Sequence, residues 1–388
     1  MSRPPRSSAP PADQERRTPT AHDVARLAGV SQSAVSRTFT AGASVSAETR
    51  RKVTEAAKAL GYRTNLVARS LITRRSRIIG VAVAYLENQF YPRVLEALSI
   101  AFGQAGYRVL LFPASQNESS DPVLEEVLRY RVDAVVLLSA IHSSRFDEEC
   151  EQAGIPVVLF NRTTRNSTAS SVTGDNRQGA ATIGAFLAAG GHERYAFMAG
   201  LENASTTQER EEGFSGFLAA AGLGVPRRVV GHYDFDAAAE AARGLLGGAD
   251  RPDALFCAND HMALAAINVA RGELGLDVGR EVSIIGFDDA GPAPWPLFSL
   301  TTYVQPVEAM VAEVVSITLE KLAGPAGPPL RKVVPGVLAV RSSARLPASG
   351  LSEQDGRRVW QPPNSTQGHE QGIDRDLLLE GPQRESGA

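Results

Sequence analysis

The sequence predicts an all-α head of three short helices, extended by a hinge helix and joined to a two-lobed α/β body with parallel sheets covered by helices on both faces. Capping residues and turn glycines near the N-terminus predict the head. Apolar strands that alternate with amphipathic segments predict the body. Charge separates the two parts, since residues 1–77 hold 15 Lys and Arg against 5 Asp and Glu, whereas residues 78–388 hold 25 against 38.

The first helix of the head is predicted to begin at Thr20. Its hydroxyl can cap the helix, and Asp23 three residues later can complete a variant of the capping box. Val24 and Leu27 then fall on one face at helical spacing, and Gly29 ends the helix where a left-handed residue is needed.

The second helix is predicted to begin after Ser31 and to turn Val35 and Phe39 inward. The outward face carries Gln32, Ser33, Ser36 and Arg37. Such side chains can bond base edges or phosphates in a DNA major groove. A helix-turn-helix contact with DNA is therefore predicted, and an ordinary helical hairpin with no DNA role is the alternative.

A third helix is predicted between Ser46, a candidate cap, and Gly61, with Val53 and Leu60 on its apolar face. Three short helices make a compact module around one small core. The basic charge of this module, set against an acidic remainder, indicates that the head meets a polyanion and the body does not.

The body begins near Arg77, and about 270 residues fit two open α/β lobes. The apolar runs that predict strands are R77-I-I-G-V-A-V-A, R108-V-L-L-F, D133-A-V-V-L-L, I155-P-V-V-L-F, Y195-A-F-M-A, D253-A-L-F-C-A and V282-S-I-I-G-F. Ligands bind such folds at the carboxyl ends of the strands, which here would be the cleft between the lobes.

Polar candidates for that cleft are Asn161, Arg210, Asn259 and Asp288, and aromatic candidates are Phe90 and Trp295. An Arg, two Asn and an Asp would suit a small polyhydroxylated or anionic ligand. We expect Asp260 and Asp289 to cap the helices that follow them, and Arg162 is a candidate for an ion pair between the lobes.

Four segments follow one another in a single register without gaps: Thr20 to Arg37, V45-S46-A47-E48-T49-R50, L60-G61-Y62-R63-T64-N65 and A68-R69-S70-L71. They resemble the DNA-binding head and hinge of the lactose-repressor/galactose-repressor (LacI/GalR-type) family. A looser resemblance continues to about Leu346. It implies that the chain is a transcriptional regulator, a repressor, whose affinity for its operator is controlled by a small-molecule effector.

The resemblance also implies roles for residues of the head. Gln32 and Ser33 would read bases, Arg37 would contact a base or the backbone, and phosphates would meet Thr20, Ser46, Thr49 and Arg50. Ala34 departs from the Thr usual at its position, so a hydroxyl contact to DNA is missing there. The full predicted DNA-binding set is Thr20, Ser31, Gln32, Ser33, Ser36, Arg37, Ser46, Thr49, Arg50, Asn65, Ala68 and Leu71.

The hinge helix predicted after Asn65 ends at Leu71, which is only about two turns and is marginal in isolation. By resemblance, it folds when paired with its twin in the minor groove. Leu71 would wedge between base steps, and the small Ala68 would allow close approach. A homodimer or tetramer would thus bind a pseudo-palindromic double-stranded operator.

For the body, the resemblance implies a periplasmic-binding-protein-like fold that holds a sugar or sugar derivative. Arg210, Asn259 and Asp288 match the effector contacts of the family. The stretch around Trp295 resembles the segment by which the family's chain crosses back between the lobes.

Several function classes lack their motifs. No G-x-G-x-x-G follows a strand, no phosphate-binding loop or G-x-S-x-G elbow occurs, and the six His have no metal-ligand spacing. No enzyme activity, cofactor or metal is predicted. The N-terminus has no apolar signal segment and no run long enough to span a membrane, so a cytoplasmic bacterial protein without membrane contact is expected. A sugar-binding receptor, and a sugar-modifying α/β enzyme with a fused helical module, remain as alternatives.

The predicted organisation has five parts. Residues 1–17 form a disordered tail, 18–64 the helix-turn-helix domain, and 65–76 the hinge and linker. Residues 77–346 form the effector-binding and dimerisation domain, and 347–388 a second disordered tail.

Overall fold

The computed structural model describes residues 18–40, 42–63, 75–114, 121–138, 144–164, 167–324 and 327–363. Three predictions fall outside these residues: the N-terminal tail before Thr18, most of the hinge including Asn65, Ala68 and Leu71, and the chain after Pro363. The chain divides between Ser76 and Arg77 into two compact units, the head and the body.

The head contains the three predicted helices. They are α1 (Ala21–Ala28), α2 (Gln32–Thr38) and α3 (Ala47–Leu60). Val24, Val35 and Val53, one from each helix, meet in its small core. Phe39 packs beside them against Tyr62, with 6.0 Å between the ring centroids. The prediction of an inward-facing Val35 and Phe39 is confirmed.

Capping residues set the boundaries of these helices. The Thr20 hydroxyl accepts a hydrogen bond from the Asp23 amide, and the Asp23 carboxylate accepts one from the Thr20 amide, so the capping box is complete. Ser31 and Ser46 cap α2 and α3 through their hydroxyls. Gly29 has φ of 63°, the left-handed conformation that ends α1 at little steric cost.

The body contains two sheets, one in each lobe. The lobe 1 strands are β1 (Ile78–Val83), β2 (Arg108–Pro113), β3 (Ala134–Leu137), β4 (Val157–Phe160), β5 (Ser170–Gly174) and β11 (Arg331–Val334). The lobe 2 strands are β6 (Tyr195–Ala199), β7 (Arg227–Val230), β8 (Ala254–Cys257), β9 (Ser283–Asp288), β10 (Thr301–Val304), β12 (Val337–Ala339), β13 (Leu351–Gln354) and β14 (Arg357–Trp360). Lobe 1 has a six-stranded parallel sheet in the order β11-β5-β4-β3-β1-β2, and lobe 2 has an eight-stranded sheet in the order β13-β14-β12-β10-β9-β8-β6-β7.

The helices of lobe 1 are α4 (Phe90–Gln104), α5 (Asp121–Tyr130), α6 (Ser144–Gln152) and α11 (Val307–Ala323). Those of lobe 2 are α7 (Asn176–Ala189), α8 (Ser205–Ala220), α9 (Phe235–Leu246) and α10 (Asp260–Asn268), which continues as a π-helical turn (Val269–Glu273). The two-lobed α/β body predicted from the sequence is confirmed. The described chain passes between the lobes after Gly174, after Val304 and after Val334.

The prediction of a disordered chain beyond Leu346 is wrong for its first part. β13 and β14 form a hairpin whose second strand pairs antiparallel with β12 at Leu338 and Ala339. Trp360 is 2% exposed, packs edge-on against Phe186 and donates its indole N–H to the Ser349 carbonyl. Polar composition concealed this hairpin, since buried apolar residues occur only at its end.

Trp360→Ala should destabilise the body by about 3–5 kcal/mol, the usual cost of truncating a buried aromatic side chain. The matched control is Trp295→Ala, because Trp295 is the other tryptophan of the chain and is 57% exposed. Urea unfolding of both variants measures the difference. Equal free energies of unfolding in the two variants would show that the hairpin is not docked in solution.

Candidate functional site

The exposed face of α2 is the candidate nucleic-acid surface of the head. Gln32, Ser33, Ser36 and Arg37 are all exposed, as predicted, while Val35 and Thr38 are buried beneath them. The Ser31 hydroxyl accepts from the Ala34 amide and lies 2.9 Å from the Ser33 hydroxyl. The helix therefore presents two amide or guanidinium side chains and two hydroxyls on one open surface.

Other predicted DNA-binding residues hold the head together. Thr20 and Ser46 cap helices, and the Ser46 hydroxyl donates to Thr49 Oγ1 at 2.9 Å. Arg50 Nη1 donates to the Thr38 carbonyl at 2.9 Å, which ties α3 to the end of α2. These contacts place the side chains at helix termini and leave their phosphate contacts as predictions.

The body brings the predicted polar residues together at strand ends. Arg210, in the second turn of α8, is 2% exposed and lies over the Phe287 ring with 3.7 Å from Cζ to the centroid. Its Nε donates to Asn176 Oδ1 at 2.9 Å, its Nη1 to the Ala258 carbonyl, and its Nη2 to Asp288 Oδ1 at 3.5 Å. A buried guanidinium is thereby compensated by one carboxylate, two neutral acceptors and an aromatic face.

Gln305 connects this cluster to lobe 1. Its Nε2 donates to Asp288 Oδ1 at 2.7 Å and to Asn161 Oδ1 at 3.2 Å, and Asn161 Nδ2 donates to the Tyr91 hydroxyl at 3.3 Å. Gln305 lies where the chain crosses from β10 to α11. The polar chain Tyr91–Asn161–Gln305–Asp288 therefore runs from lobe 1 to lobe 2.

Two buried polar atoms of the cleft have no hydrogen-bond partner among the described residues. Asn259 caps α10 because its Oδ1 accepts from the Met262 amide at 3.0 Å, yet its Nδ2 is unpartnered. Gln305 Oε1 is unpartnered as well. Both residues are 1% exposed. A buried unpaired polar atom costs about 1–3 kcal/mol, so a donor and an acceptor in this cleft are available to a bound molecule.

The backbone at the strand ends is unusual. Asn161, Asp288 and Asp289 have φ of 69°, 127° and 56°. Non-glycine residues in such conformations cost about 1–3 kcal/mol each, and such residues cluster at binding sites where their surroundings hold them. A regular strand would point successive side chains to opposite faces of the sheet. The positive φ values instead turn these side chains toward the end of the sheet.

Further direct contacts join the two lobes. The Tyr85 hydroxyl of lobe 1 lies 2.8 Å from His261 Nε2 of lobe 2, and the Thr163 amide donates to Ser205 Oγ at 2.9 Å. Arg162 lies over the Tyr233 ring, 5.3 Å from its centroid. Arg162 thus links the lobes through the aromatic face of Tyr233, and its charge also acts on Asp288 of lobe 2.

Burial changes the protonation of two cleft carboxylates. Burial, together with the charge of Asp288, raises the pKa of Asp260 to about 8. Burial also raises the pKa of Asp288, to about 6, although the charge of Arg210 and the hydrogen bond from Gln305 oppose the rise. The two groups lie close enough for one charge to disfavour the other.

Three predictions about individual residues are corrected: the crossing at Trp295 and the helix caps at Asp260 and Asp289. Phe90 lies in the apolar core of lobe 1 against Tyr91 and Phe160, and its contact with an effector stays a prediction. Its neighbour Tyr91 accepts a hydrogen bond from Asn161 in the cleft. Trp295 lies exposed in the turns between β9 and β10, and the chain crosses between the lobes later, after Val304.

Neither Asp260 nor Asp289 caps a helix. Asp260 accepts from the Ala290 amide at 2.8 Å and the Thr302 hydroxyl at 2.5 Å, while Asn259 occupies the cap position. Asp289 forms ion pairs with Arg341 and Arg357. No helix begins directly after β9, so Asp289 has no helix terminus to cap.

The sequence analysis missed Gln305, Asn176 and Tyr233. Gln305 and Asn176 follow the ends of β10 and β5, so the rule that found Asn161 could have found them had these strands been recognised. The Thr207 hydroxyl donates to the Tyr233 hydroxyl at 2.9 Å, and Thr206 Oγ1 lies 3.0 Å from the same hydroxyl. It precedes α9 and carries no strand signal.

The described parts of the chain contain no helix long and apolar enough to cross a membrane. They also contain no group of three or more His, Cys, Asp or Glu arranged to hold a metal ion. Both cysteines are buried, and burial raises the pKa of the Cys150 thiol to about 12.

Fold and site together define a helix-turn-helix protein with a two-lobed binding body. Residues 20–65 match the family model of bacterial regulatory proteins, lacI family, and residues 185–344 match that of the periplasmic binding protein-like domain. The chain is 32% identical over 339 residues to the HTH-type transcriptional regulator CelR of Thermobifida fusca, covering 85% of this chain and 99% of that one. It belongs to the lacI family.

Two solved structures each match 84% of the chain. The lac repressor dimer bound to operator and the anti-inducer ONPF has a TM-score of 0.76 at 26% identity, covering 84% of this chain and 99% of that chain. The transcriptional regulator CelR in complex with cellobiose has a TM-score of 0.64 at 29% identity, covering 84% of this chain and 100% of that chain.

We expect the Asp288 carboxyl to stay protonated up to about pH 6 and the Asp260 carboxyl up to about pH 8. Because the unfolded chain releases these protons near pH 4, their contribution to the free energy of unfolding is complete below about pH 4 and is lost as pH rises through about 6 and about 8. The measurement is a ¹³C titration of the Asp carboxyl carbons, with Asp260→Asn for assignment. Midpoints below about pH 5 for every carboxyl, as in unfolded chains, would contradict it.

Proposed function

We propose that this protein is a DNA-binding transcriptional regulator, a repressor, whose operator affinity is set by a sugar-like effector held between the two lobes. One observation carries the effector site: the interlobe network around Arg210, Asp288 and Gln305 adjoins a buried amide donor, Asn259 Nδ2, for which the described part of the chain provides no partner. Hydroxyl groups both donate and accept, so a polyhydroxylated molecule can satisfy this donor and the free acceptor Gln305 Oε1 together.

The relatives support this ligand class. One structural neighbour is a regulator in complex with cellobiose, and another is a repressor dimer on its operator. Regulation rather than catalysis, a homodimeric assembly on a pseudo-palindromic operator, and a cytoplasmic location are parts of the same proposal.

The coupling follows from where the network lies. Asn161 belongs to lobe 1 and Asp288 to lobe 2, so a ligand that replaces the bonds of Gln305 favours one arrangement of the lobes over another. Couplings of about 1–3 kcal/mol between two sites change affinity about 5- to 150-fold. Transmission to DNA through the hinge, with Leu71 as a wedge in the minor groove, remains a prediction from the sequence.

Gln32→Ala should reduce affinity for the preferred operator by about 5- to 150-fold, because one good base contact contributes about 1–3 kcal/mol. The operator is first obtained by selection from random duplexes with the full chain. Gln104→Ala is the matched control, since Gln104 is exposed at the end of α4 in the body.

Fluorescence anisotropy at several salt concentrations measures the affinity. For the unchanged chain it should fall steeply with salt, because each neutralised phosphate adds about −0.9 to the log–log slope. If the Gln32→Ala protein selects the same DNA sequence and binds it with equal affinity, the prediction that α2 reads the bases of the operator is contradicted.

Asn259→Ser should abolish stabilisation by a sugar while leaving the fold intact. Serine keeps an oxygen that can cap α10 but lacks the long amide donor. A thermal-shift panel of monosaccharides, cellobiose, sugar acids and nucleobases gives the readout, since a ligand at 100 times its Kd stabilises by about 2.7 kcal/mol. Asn268→Ser, at the exposed far end of α10, is the control.

Loss of the shift in Asn259→Ser alone supports the site. A sugar-dependent shift of equal size in both variants would place the ligand elsewhere. No shift for any compound with the unchanged chain would contradict a sugar-like effector.

A further inference from the structure

The C-terminal hairpin, β13 and β14, lies beyond residue 344, where the match to the periplasmic binding protein-like model ends. It is anchored to lobe 2 by its own contacts. Leu351 packs on the core of lobe 2, Trp360 packs on Phe186, and the Val340 amide donates to the Arg358 carbonyl at 2.8 Å. These anchoring contacts are apolar contacts and a backbone hydrogen bond, so they hold the hairpin in place without its charged side chains.

One side chain of the hairpin reaches the end of β9. Arg357 Nη1 lies 3.3 Å from Asp289 Oδ2, while Arg341 Nη2 lies 2.7 Å from Asp289 Oδ1. The Asp289 side chain is 5% exposed, and each of its oxygens faces a different guanidinium. A carboxylate paired at both oxygens is fixed in position and in rotation.

Asp289 is the residue next to Asp288, the carboxylate that pairs with Arg210 and Gln305. Both aspartates have positive φ, a conformation that persists only when the surrounding structure enforces it. Fixing the Asp289 carboxylate therefore restricts the backbone that directs Asp288 into the cleft.

The charge of Arg357 also acts on lobe 1. Glu308, in the first turn of α11 just after the crossing at Gln305, receives a hydrogen bond from Arg93 at 2.8 Å. Burial raises the pKa of Glu308, but the hydrogen bond and charge of Arg93 and the charge of Arg357 together lower it. Arg357 thus pairs with Asp289 of lobe 2, and its charge also lowers the pKa of Glu308 in lobe 1.

We propose that Arg357 is a positioning residue for the interlobe cleft, holding Asp289 so that the strained turn presents Asp288 to Arg210 and Gln305. The effect of Arg357 on ligand binding rests on the proposed effector site. The effect of Arg357 on the turn at Asp288 and Asp289 does not depend on a ligand, so the test uses the full chain without ligand.

The experiment compares Arg357→Gln with Arg358→Gln by hydrogen exchange and mass spectrometry. Arg358 is exposed on the same hairpin, so both variants lose one positive charge from β14. In Arg357→Gln, peptides covering 286–291 and 304–308 should exchange about 5-fold faster, the factor for about 1 kcal/mol easier opening. They report the Ala290 amide, bound to Asp260, and the Gln305 amide, bound to the Asp288 carbonyl.

Peptides covering 351–360 should keep their protection in both variants, and Arg358→Gln should match the unchanged chain throughout. Asp289→Asn should reproduce the faster exchange, with little further change when combined with Arg357→Gln. Unchanged exchange at 286–291 in Arg357→Gln would overturn the proposal. So would equal loss of protection in the hairpin, which would make Arg357 a stabiliser of β14 alone.

Discussion

The burial of Arg210 is the constraint on which the cleft depends. A guanidinium cannot be deprotonated in a protein, and at 2% exposure it has lost its water. Asp288, Asn176, the Ala258 carbonyl and the Phe287 ring replace that water. These groups come from β8, β9 and the start of α7, so compensation of one charge fixes the ends of several elements of lobe 2. The strain at Asp288 follows from it, because a regular strand would not direct that carboxylate to Arg210.

Hydrogen bonds of neutral side chains are one link between lobe 1 and this charged centre. Asn161, Gln305 and Tyr91 exchange single hydrogen bonds, each of which has a small net value, about 0.5–1.5 kcal/mol, when water or a ligand hydroxyl can replace it. This difference between the contacts within lobe 2 and those between the lobes suits a protein that responds to a bound molecule. The charge pair that would be costly to break stays within one lobe, whereas the bonds between the lobes can be exchanged for those of a bound molecule.

Local signals in the sequence predicted local structure. The capping box at Thr20, the caps at Ser31 and Ser46, and the apolar strands all depend on neighbours within a few residues, so they could be recognised without the fold. The expectation that polar residues at the ends of strands line the cleft identified Asp288, which pairs with Arg210, and the two asparagines Asn161 and Asn259. It failed at Gln305, since the crossing from lobe 2 to lobe 1 depends on long-range topology. It also misjudged Asp260 and Asp289, whose partners lie between 30 and 68 positions away.

The hairpin shows most clearly why composition alone was misleading. Its exposed strand β13 is polar, and only Val359 and Trp360 are buried, so the segment resembles a linker in any short window. Its stability comes from the edge of a sheet that already contains β12 and from the contact of Trp360 with the Phe186 ring. Once docked, it covers the edge that β12 would otherwise expose and brings Arg357 to Asp289. An element added at the end of the chain therefore contributes to the geometry of a cleft whose other residues precede it.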